Sequence, residues 1–385
     1  MRLLHVVPSY LPATRYGGPI YSVHGLCKSL ANRGHEVHVY TTNIDGPGNT
    51  DVPLETPVEF EGVKVWFFPS NSLRRLYWSP SMLRRMRLAV PTFNIIHLHS
   101  IFLWPTWAAA RIARHSNVPY VLTPRGMLVK ELIWKKSRLA KSLWIRFIEK
   151  KNLEKAAVIH CTSKIEMKSC QEFGFNLPHF KVIPNGIDDE SNVVSTNEPR
   201  SDIHQVLKKQ PLILYLGRVN WKKGLDRLIP ALTYVPMAHL VIAGHDDDGY
   251  SRDVFAMAEK AGVADRITQL GSVNQFDKAV LYKNAKVFVL TSYSENFGNS
   301  VLEALAHECP VVVTAEVGVS DAINGAGSGI VTEGRPEAIA EGINRILADD
   351  RSRTLMGRAG RRLIRENYCW DGIAHQMEAE YQLHI

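Results

Sequence analysis

The sequence predicts an α/β protein of two doubly wound domains, each built on a mostly parallel sheet. Three observations carry that expectation. Short, continuously apolar, β-rich runs recur along the chain, a segment of helical periodicity follows each, and one polar stretch separates six such runs from six more. The length points the same way: at ~100 to 200 residues per domain, 385 residues are more than one hydrophobic core ordinarily fills.

In order, the first-half runs are 3–7, 37–41, 63–68, 95–99, 120–123 and 157–161, and the second-half runs are 212–216, 240–243, 267–270, 287–290, 311–314 and 330–332. Runs this short and this apolar suit strands buried on both faces. Between the first two, Val23, Leu26, Cys27, Leu30 and Ala31 fall at i, i+3, i+4, i+7 and i+8, one face of a helix that Gly34 ends. The stretch 187–210 is diluted by Asp, Glu, Ser, Asn and Pro and reads as a linker. The expected boundaries are therefore 1–186 for the first domain, 187–210 for the linker and 211–366 for the second domain.

Composition excludes several classes. Hydrophobic residues are 45% and charged residues 22%, which suits a packed globular chain and neither a disordered nor a membrane-spanning one. The amino terminus carries only a five-residue apolar run before Pro8, so no signal peptide is expected, and the weakly polar stretch 101–110 is far short of the ~20 residues that span a bilayer. The five cysteines lie far apart with no CxxC pair, which fits reduced thiols in a cytoplasmic protein.

The formal charge of +8 is unevenly distributed. Residues 1–190 hold 25 Lys/Arg against 14 Asp/Glu, whereas 191–385 hold 21 against 24. The excess concentrates in 73–87 and in 130–155, where Trp134, Trp144 and Phe147 interleave with basic residues. Solvated helix faces explain any one such run. The asymmetry between halves favours a surface for phosphates or anionic lipid headgroups, with an anionic membrane surface as a partner. No zinc-finger spacing, RNP signature or basic zipper occurs, so nucleic acid is not an expected partner.

Four places carry residues suited to chemistry. After the first strand, Tyr16, Gly17 and Gly18 precede a helix, and adjacent glycines there let backbone N–H groups approach an anion; a plain turn is the alternative. The run 212–216 leads straight into Gly217 and Arg218, then Lys222, Lys223 and Gly224, two cations for which a diphosphate is the obvious counter-ion. Lys222 and Lys223 fit a solvated loop tip equally. After 287–290 stand Glu295, Asn296, Phe297, Gly298, Asn299 and Ser300, then Glu303 within an apolar stripe of Val301, Leu302, Ala304 and Leu305. An acid in that setting needs hydrogen-bond donors, and sugar hydroxyls are natural ones. Neither a GxGxxG nicotinamide fingerprint nor a GxxxxGK[ST] phosphate loop occurs.

Taken together with Arg33-Gly34-His35-Glu36-Val37, Pro184-Asn185-Gly186-Ile187-Asp188, the Glu295-x7-Glu303 element and Trp370 near the carboxyl terminus, these motifs make the chain resemble, end to end, a retaining glycosyltransferase of family 4 with the GT-B fold. The resemblance implies two Rossmann-like domains facing across a cleft, with the tail after Tyr368-Cys369-Trp370, about 367–385, crossing back onto the first domain. It implies that Arg218 and Lys223 neutralise the donor diphosphate, that Glu303 holds the ribose hydroxyls, that Glu295 contacts the transferred sugar, and that Asn296, Phe297, Gly298, Asn299 and Ser300 help bind sugar and phosphate. Gly17 and Gly18 close over the diphosphate from the first domain.

One departure stands out. Many relatives carry a His in a Thr-x-His-Gly element, whereas this chain reads Thr123-Pro124-Arg125-Gly126. Arg125 is therefore a candidate for an acceptor or donor phosphate, Tyr16 is a second such candidate, and His99 is a further catalytic candidate for the crevice; a core histidine is the alternative reading of His99.

The expected activity is hexosyl transfer from a nucleotide-diphosphate sugar to a saccharide or lipid-linked acceptor, in synthesis of a surface polysaccharide or glycoconjugate. Two fixed cations and a helix N-terminus supply the charge for the leaving group, so neither cofactor nor metal is expected. The expected location is the cytoplasm, with attachment to the cytosolic membrane face. A nucleotide-sugar epimerase or carbohydrate phosphorylase of the same fold is the alternative. A glycoside hydrolase fits poorly, because Glu295 and Glu303 share one loop-helix unit and do not readily flank a glycosidic bond. A non-enzymatic binder of anionic surfaces leaves Glu303 without a role.

Overall fold

A computed structural model describes residues 1–13, 15, 17–129, 144–188, 198–246 and 249–385. The chain divides into two compact units, Met1–Gly186 with Trp370–Ile385, and Ile187–Cys369. Each is a doubly wound α/β unit with its own core.

The first unit holds strands β1 (Arg2–Val6), β2 (Glu36–Thr42), β5 (Pro57–Phe60), β6 (Val63–Phe68), β7 (Ile95–His99), β8 (Tyr120–Thr123), β9 (Val158–Cys161) and β10 (Phe180–Val182) in one sheet, beside a two-stranded hairpin of β3 (Ile44–Asp45) and β4 (Gly48–Asn49). The order is β10-β9-β8-β7-β1-β2-β6-β5, parallel except for the edge pair β5–β6. The alternation of strand and helix therefore breaks once, where β5 turns straight back into β6.

Successive residues on β1 enter opposite cores. Leu4 and Val6 join one with Met82, Met86 and Ala109 from helices Pro80–Ala89 and Trp104–His115. Leu3 joins the other with Val23, Leu26 and Leu30 from helix Gly18–Asn32 and Ile373, Ala374 and Met377 from helix Trp370–Gln382. That is the period of two expected for a sheet covered on both faces.

The carboxyl-terminal helix belongs to this first unit by packing and by charge. Gly25 faces the Trp370 indole so closely that a Cβ there would lie 2.2 Å from Cε2. Arg33 reaches Glu378 at 2.8 Å and Asp371 at 3.0 Å, and His35 reaches Glu378 at 3.1 Å. The Arg33-Gly34-His35 element thus fastens the tail.

The second unit is a six-stranded parallel sheet in the order β13-β12-β11-β14-β15-β16. Its strands are β11 (Leu212–Leu216), β12 (His239–Ala243), β13 (Ile267–Gly271), β14 (Val287–Leu290), β15 (Val311–Thr314) and β16 (Gly329–Thr332). The central strands β11 and β14 are buried along their length, and helix Asn299–Ala306 packs on β14 and β15. The stretch 187–210 differs from a plain linker: its later part forms helix Ser201–Leu207, whose Ile203 and Val206 are buried in this core. Two apolar residues at i and i+3 anchor it, too few to stand out among polar neighbours.

The basic run 73–87 forms a turn at Arg74–Leu76 and helix Pro80–Ala89. Arg74 is spent on the hairpin, donating to the Gly48 carbonyl at 2.6 Å and the Asn49 side chain at 2.7 Å, and Arg85 lies over the Trp66 ring at 4.2 Å. Arg75, Arg84 and Arg87 remain exposed. Of the second basic run, residues 130–143, with Trp134, lie outside the described residues; Phe147 is exposed beside Lys150 and Lys151, and Trp144 donates to Glu149 at 2.9 Å. No helix among the described residues is long and apolar enough to cross a membrane.

Candidate functional site

In a doubly wound sheet, ligands bind outside the carboxyl ends of the strands where the strand order reverses. In the second unit that point lies between β11 and β14, and the loops leaving these two strands carry Arg218, Lys223, Glu295 and the start of helix Asn299–Ala306.

Close backbone approaches hold the loops. Gly224, at φ 69°, passes the end of β14 so tightly that a Cβ would lie 2.0 Å from the Thr291 carbonyl oxygen, and the Thr291 hydroxyl donates back to the Gly224 carbonyl at 2.7 Å. Gly244, at φ 141°, runs against Gly217, where a Cβ would sit 1.9 Å from the carbonyl oxygen. Asn220 caps the turn Trp221–Lys223 by accepting from the Lys222 N–H at 3.1 Å, and the Tyr293 N–H donates to the Lys222 carbonyl at 2.8 Å. The turn is thereby pinned to the loop after β14.

These contacts bring Lys223 and Glu295 together: the lysine ammonium is ion-paired with Glu295 Oε2, both side chains about one-fifth exposed. The Glu295 backbone is fixed from the next loop, donating to Glu316 at 3.1 Å and accepting from Gly318 at 2.9 Å. Phe297 is buried in the core beside Tyr368, and Gly298, at φ 104°, turns the chain into the helix, placing Asn299 and Ser300, both partly exposed, in its first turn. Asn296 is likewise partly exposed and Arg218 is exposed.

Glu303 lies one turn further in. Its Oε2 accepts from the Tyr282 hydroxyl at 2.9 Å and pairs with the Lys278 ammonium at 2.8 Å, while Oε1 has no partner among the described residues. Tyr282 and Lys278, four apart on helix Gln275–Asn284, were not among the sequence-based candidates. Burial, with the Glu303 charge adding, pushes the Tyr282 hydroxyl well above its ordinary pKa, so it stays a donor.

One acidic run needs correcting. Asp246-Asp247-Asp248 is an Asp-x-Asp triplet that the expectation of metal independence overlooked. Asp246 spends its oxygens on the N–H groups of Tyr250 at 2.9 Å and Ser251 at 3.0 Å, at the start of helix Ser251–Lys260; Asp247 and Asp248 lie outside the described residues.

The first unit has its own switch point between β1 and β7. Gly17, at φ 68°, precedes helix Gly18–Asn32, whose first turn holds no acid; Tyr16 lies outside the described residues. His99 and Arg125 meet here within a buried chain of polar groups. Arg125 donates to His99 Nδ1 at 3.2 Å, to Asn185 at 2.9 Å and to the Ser22 hydroxyl at 3.4 Å.

An arginine has only donors, which fixes the tautomers. His99 Nδ1 must accept, so its proton sits on Nε2 and is donated to His5 Nδ1 at 3.0 Å; His5 Nε2 then carries a proton with no partner. A second chain resolves likewise. His160 Nε2 donates to the Ile183 carbonyl at 2.8 Å, its Nδ1 accepts from the Thr123 hydroxyl at 2.8 Å, Thr123 accepts from His97 Nε2 at 2.7 Å, and His97 Nδ1 accepts from the Tyr381 hydroxyl at 2.6 Å.

All four histidines are held neutral. Burial, reinforced by the Arg125 charge, pulls His5 and His160 down to about 3, and burial with neighbouring charge holds His97 and His99 well below the usual range.

His5, His97 and His99 offer nitrogens within 4.8 Å of one another, a spacing a metal ion accepts. The hydrogen bonds fit that use poorly. Each of the three Nδ1 lone pairs already accepts a donor, each Nε2 holds a proton, and Arg125 stands against His99.

Two doubly wound units, the second carrying a lysine, two acids and a helix N-terminus at its switch point, define the glycosyltransferases of GT-B type. A family model described as Glycosyl transferases group 1 matches residues 197–363, and one described as Glycosyltransferase Family 4 matches residues 16–191. The chain is 28% identical to an uncharacterized glycosyltransferase of Methanocaldococcus jannaschii, across 100% of this chain and 98% of that protein. Sucrose-phosphate synthase from Thermosynechococcus elongatus shares the fold with a TM-score of 0.78 at 21% identity, over 99% of this chain and 98% of that one. An Anabaena protein, HepE, in complex with UDP and glucose matches with a TM-score of 0.76 at 19% identity over the whole of both chains. The chain belongs to glycosyltransferase family 4 and is an enzyme of the hexosyltransferase type.

Proposed function

We propose that the enzyme transfers a hexosyl group, with retention of configuration, from a nucleotide-diphosphate sugar to a saccharide or lipid-linked acceptor. The observation that carries this is the Lys223–Glu295 pair at the switch point of the second sheet, on the loop that leads through Gly298 into the helix carrying Glu303. The likeness to the Anabaena protein that holds UDP and glucose supports it.

The donor diphosphate competes with Glu295 for Lys223. Once the ammonium turns to the phosphate, with Arg218 as a second cation and the N–H groups of Asn299 and Ser300 as dipoles, the Glu295 carboxylate is released to accept from hydroxyls of the transferred sugar. Asn296, Phe297 and Gly298 shape the same loop. The open Oε1 of Glu303 accepts from the ribose hydroxyls while Lys278 and Tyr282 hold Oε2.

In the reaction the anomeric carbon breaks its bond to the β-phosphate oxygen and forms one to the acceptor oxygen on the same face. The acceptor proton passes to an oxygen of the leaving diphosphate, so no protein base is required. Fixed charges aimed at that diphosphate are stronger in the transition state than in the ground state, which is what accelerates departure. We assign metal independence to the same charges. His99, with both nitrogens engaged, positions Arg125 and takes no substrate proton. The exposed Arg75, Arg84 and Arg87 favour the anionic cytosolic leaflet as a docking surface in surface-polysaccharide or glycoconjugate synthesis.

The test is a panel of nucleotide sugars, read by thermal shift and then by product formation with candidate acceptors, with and without chelator. Binding at 100 times Kd stabilises the folded state by about 2.7 kcal/mol. Stabilisation by one nucleotide sugar and acceptor-dependent release of its nucleoside diphosphate are expected. Conversion of the donor without any acceptor contradicts transfer and indicates an epimerase.

A further inference from the structure

We propose that Arg125 is the receptor for an oxyanion carried by a substrate, a phosphate or a carboxylate, bound at the first turn of helix Gly18–Asn32 in the first unit. It deepens the reading above and rests on it for the word substrate. The residue is half-buried as a whole, and its guanidinium Nε is buried without a partner. Every acceptor it touches is neutral: the Asn185 amide oxygen, the Ser22 hydroxyl and His99 Nδ1.

Among the described residues no carboxylate pairs with it. Glu166, the acid whose charge it feels most, spends its oxygens on the N–H of Gly126 at 2.6 Å, the N–H of Thr162 at 2.7 Å and the Thr162 hydroxyl at 3.1 Å. A buried charge without a counter-ion is costly, and such groups are ordinarily paired.

The surroundings deepen the deficit. Ser22, which Arg125 touches, lies in the opening turns of a 15-residue helix and donates to the Gly18 carbonyl at 3.0 Å, so the cation stands beside the positive end of that helix. His5 and His99, being neutral, add no negative charge. Two sources of positive potential converge, and the single charge that satisfies both is an anion. Arg125 itself is held at φ 56°, a left-handed conformation uncommon outside glycine, which aims the side chain at the cost of local strain.

Three probes separate the sources: UDP for the donor diphosphate, and glucose 6-phosphate and glucuronate for a phosphate or carboxylate on the sugar, with glucose as the neutral control. Affinities are measured by calorimetry on the full chain at fixed ionic strength for wild type, Arg125→Gln and Arg125→Lys, with Lys223→Ala alongside. At least one anionic probe should bind wild type about 10- to 100-fold more tightly than glucose, lose that advantage in Arg125→Gln and keep part of it in Arg125→Lys. If Arg125→Gln fails to fold, the wild-type ratio and Arg125→Lys decide. A wild type that prefers no anion over glucose, or a folded Arg125→Gln that binds all three as wild type does, overturns the proposal. UDP binding that is lost in Lys223→Ala and untouched in Arg125→Gln, with no sugar-anion preference, overturns this inference and leaves the donor reading intact. A wild type that binds glucose 6-phosphate but no nucleotide does the reverse.

Discussion

Acidification should unfold the first unit through its histidines, by an amount that follows from their burial. His5 and His160 titrate near 3 in the folded chain against 6.5 when exposed. Between those values the unfolded chain binds more protons than the folded one, so each histidine contributes stability that is full above about pH 6.5 and lost as pH falls. For one such group the loss at pH 5 is about 2 kcal/mol, and for the two about 4 kcal/mol, with His97 and His99 adding in the same direction. A marginal unit has only about 5 to 15 kcal/mol to lose. The assay is urea unfolding from pH 7.5 to 5, followed by Trp fluorescence, with histidine 15N chemical shifts on the folded chain. Replacing His160 by Gln should lower the slope by about 1.4 kcal/mol per pH unit. The 15N shifts should show four neutral rings with the proton on Nε2 down to pH 5. A histidine of this group titrating near 6.5 in the folded chain, or a first unit whose stability changes by less than about 1 kcal/mol between pH 7.5 and 5, refutes the hydrogen-bond assignment.

Other expectations concern the second unit and the tail. Lys223→Ala and Arg218→Ala should each lose about 100- to 1,000-fold in turnover, roughly 2.7 to 4 kcal/mol, while circular dichroism stays native; near wild-type turnover at saturating donor removes them from the site. If Glu303 holds the ribose as proposed, Glu303→Ala should weaken UDP binding by about 10- to 100-fold and leave inorganic pyrophosphate binding nearly unchanged; equal weakening of both contradicts that role. Gly25→Ala places a methyl on the Trp370 indole and should displace the carboxyl-terminal helix, seen as a red-shifted Trp emission and a first-unit stability lowered by about 1 to 3 kcal/mol; an unchanged spectrum contradicts the packing.

The sheets were largely legible because their strands are buried on both faces and read as unbroken apolar runs. The expected 95–99, 120–123, 212–216, 287–290 and 311–314 coincide with β7, β8, β11, β14 and β15. The strands at the two edges of the first sheet were not. β5 opens on Pro57 and is nowhere fully buried, and β10 is three partly exposed residues, so neither has an apolar run to find.

The loop-borne residues of the second unit were readable as types at spacings. Their pairing was not: Lys223 and Glu295, 72 positions apart, meet only because β11 and β14 are neighbours. Lys278 and Tyr282 share a helix face, but which acid they serve depends on the same topology. In the first unit His97 and His99 project to one side of β7 and His5 lies opposite His97 on β1, so the network needs strand order, and only His99 stood out as a strand-end residue.

The second unit's switch point is the proposed nucleotide site. A crystal structure of the full chain with a bound nucleoside diphosphate tests it most directly. The diphosphate should lie against Lys223 and Arg218 at the start of helix Asn299–Ala306, with Lys223 drawn off Glu295 and a ribose hydroxyl on Glu303 Oε1. A nucleotide seated elsewhere, with the Lys223–Glu295 pair still closed, contradicts it.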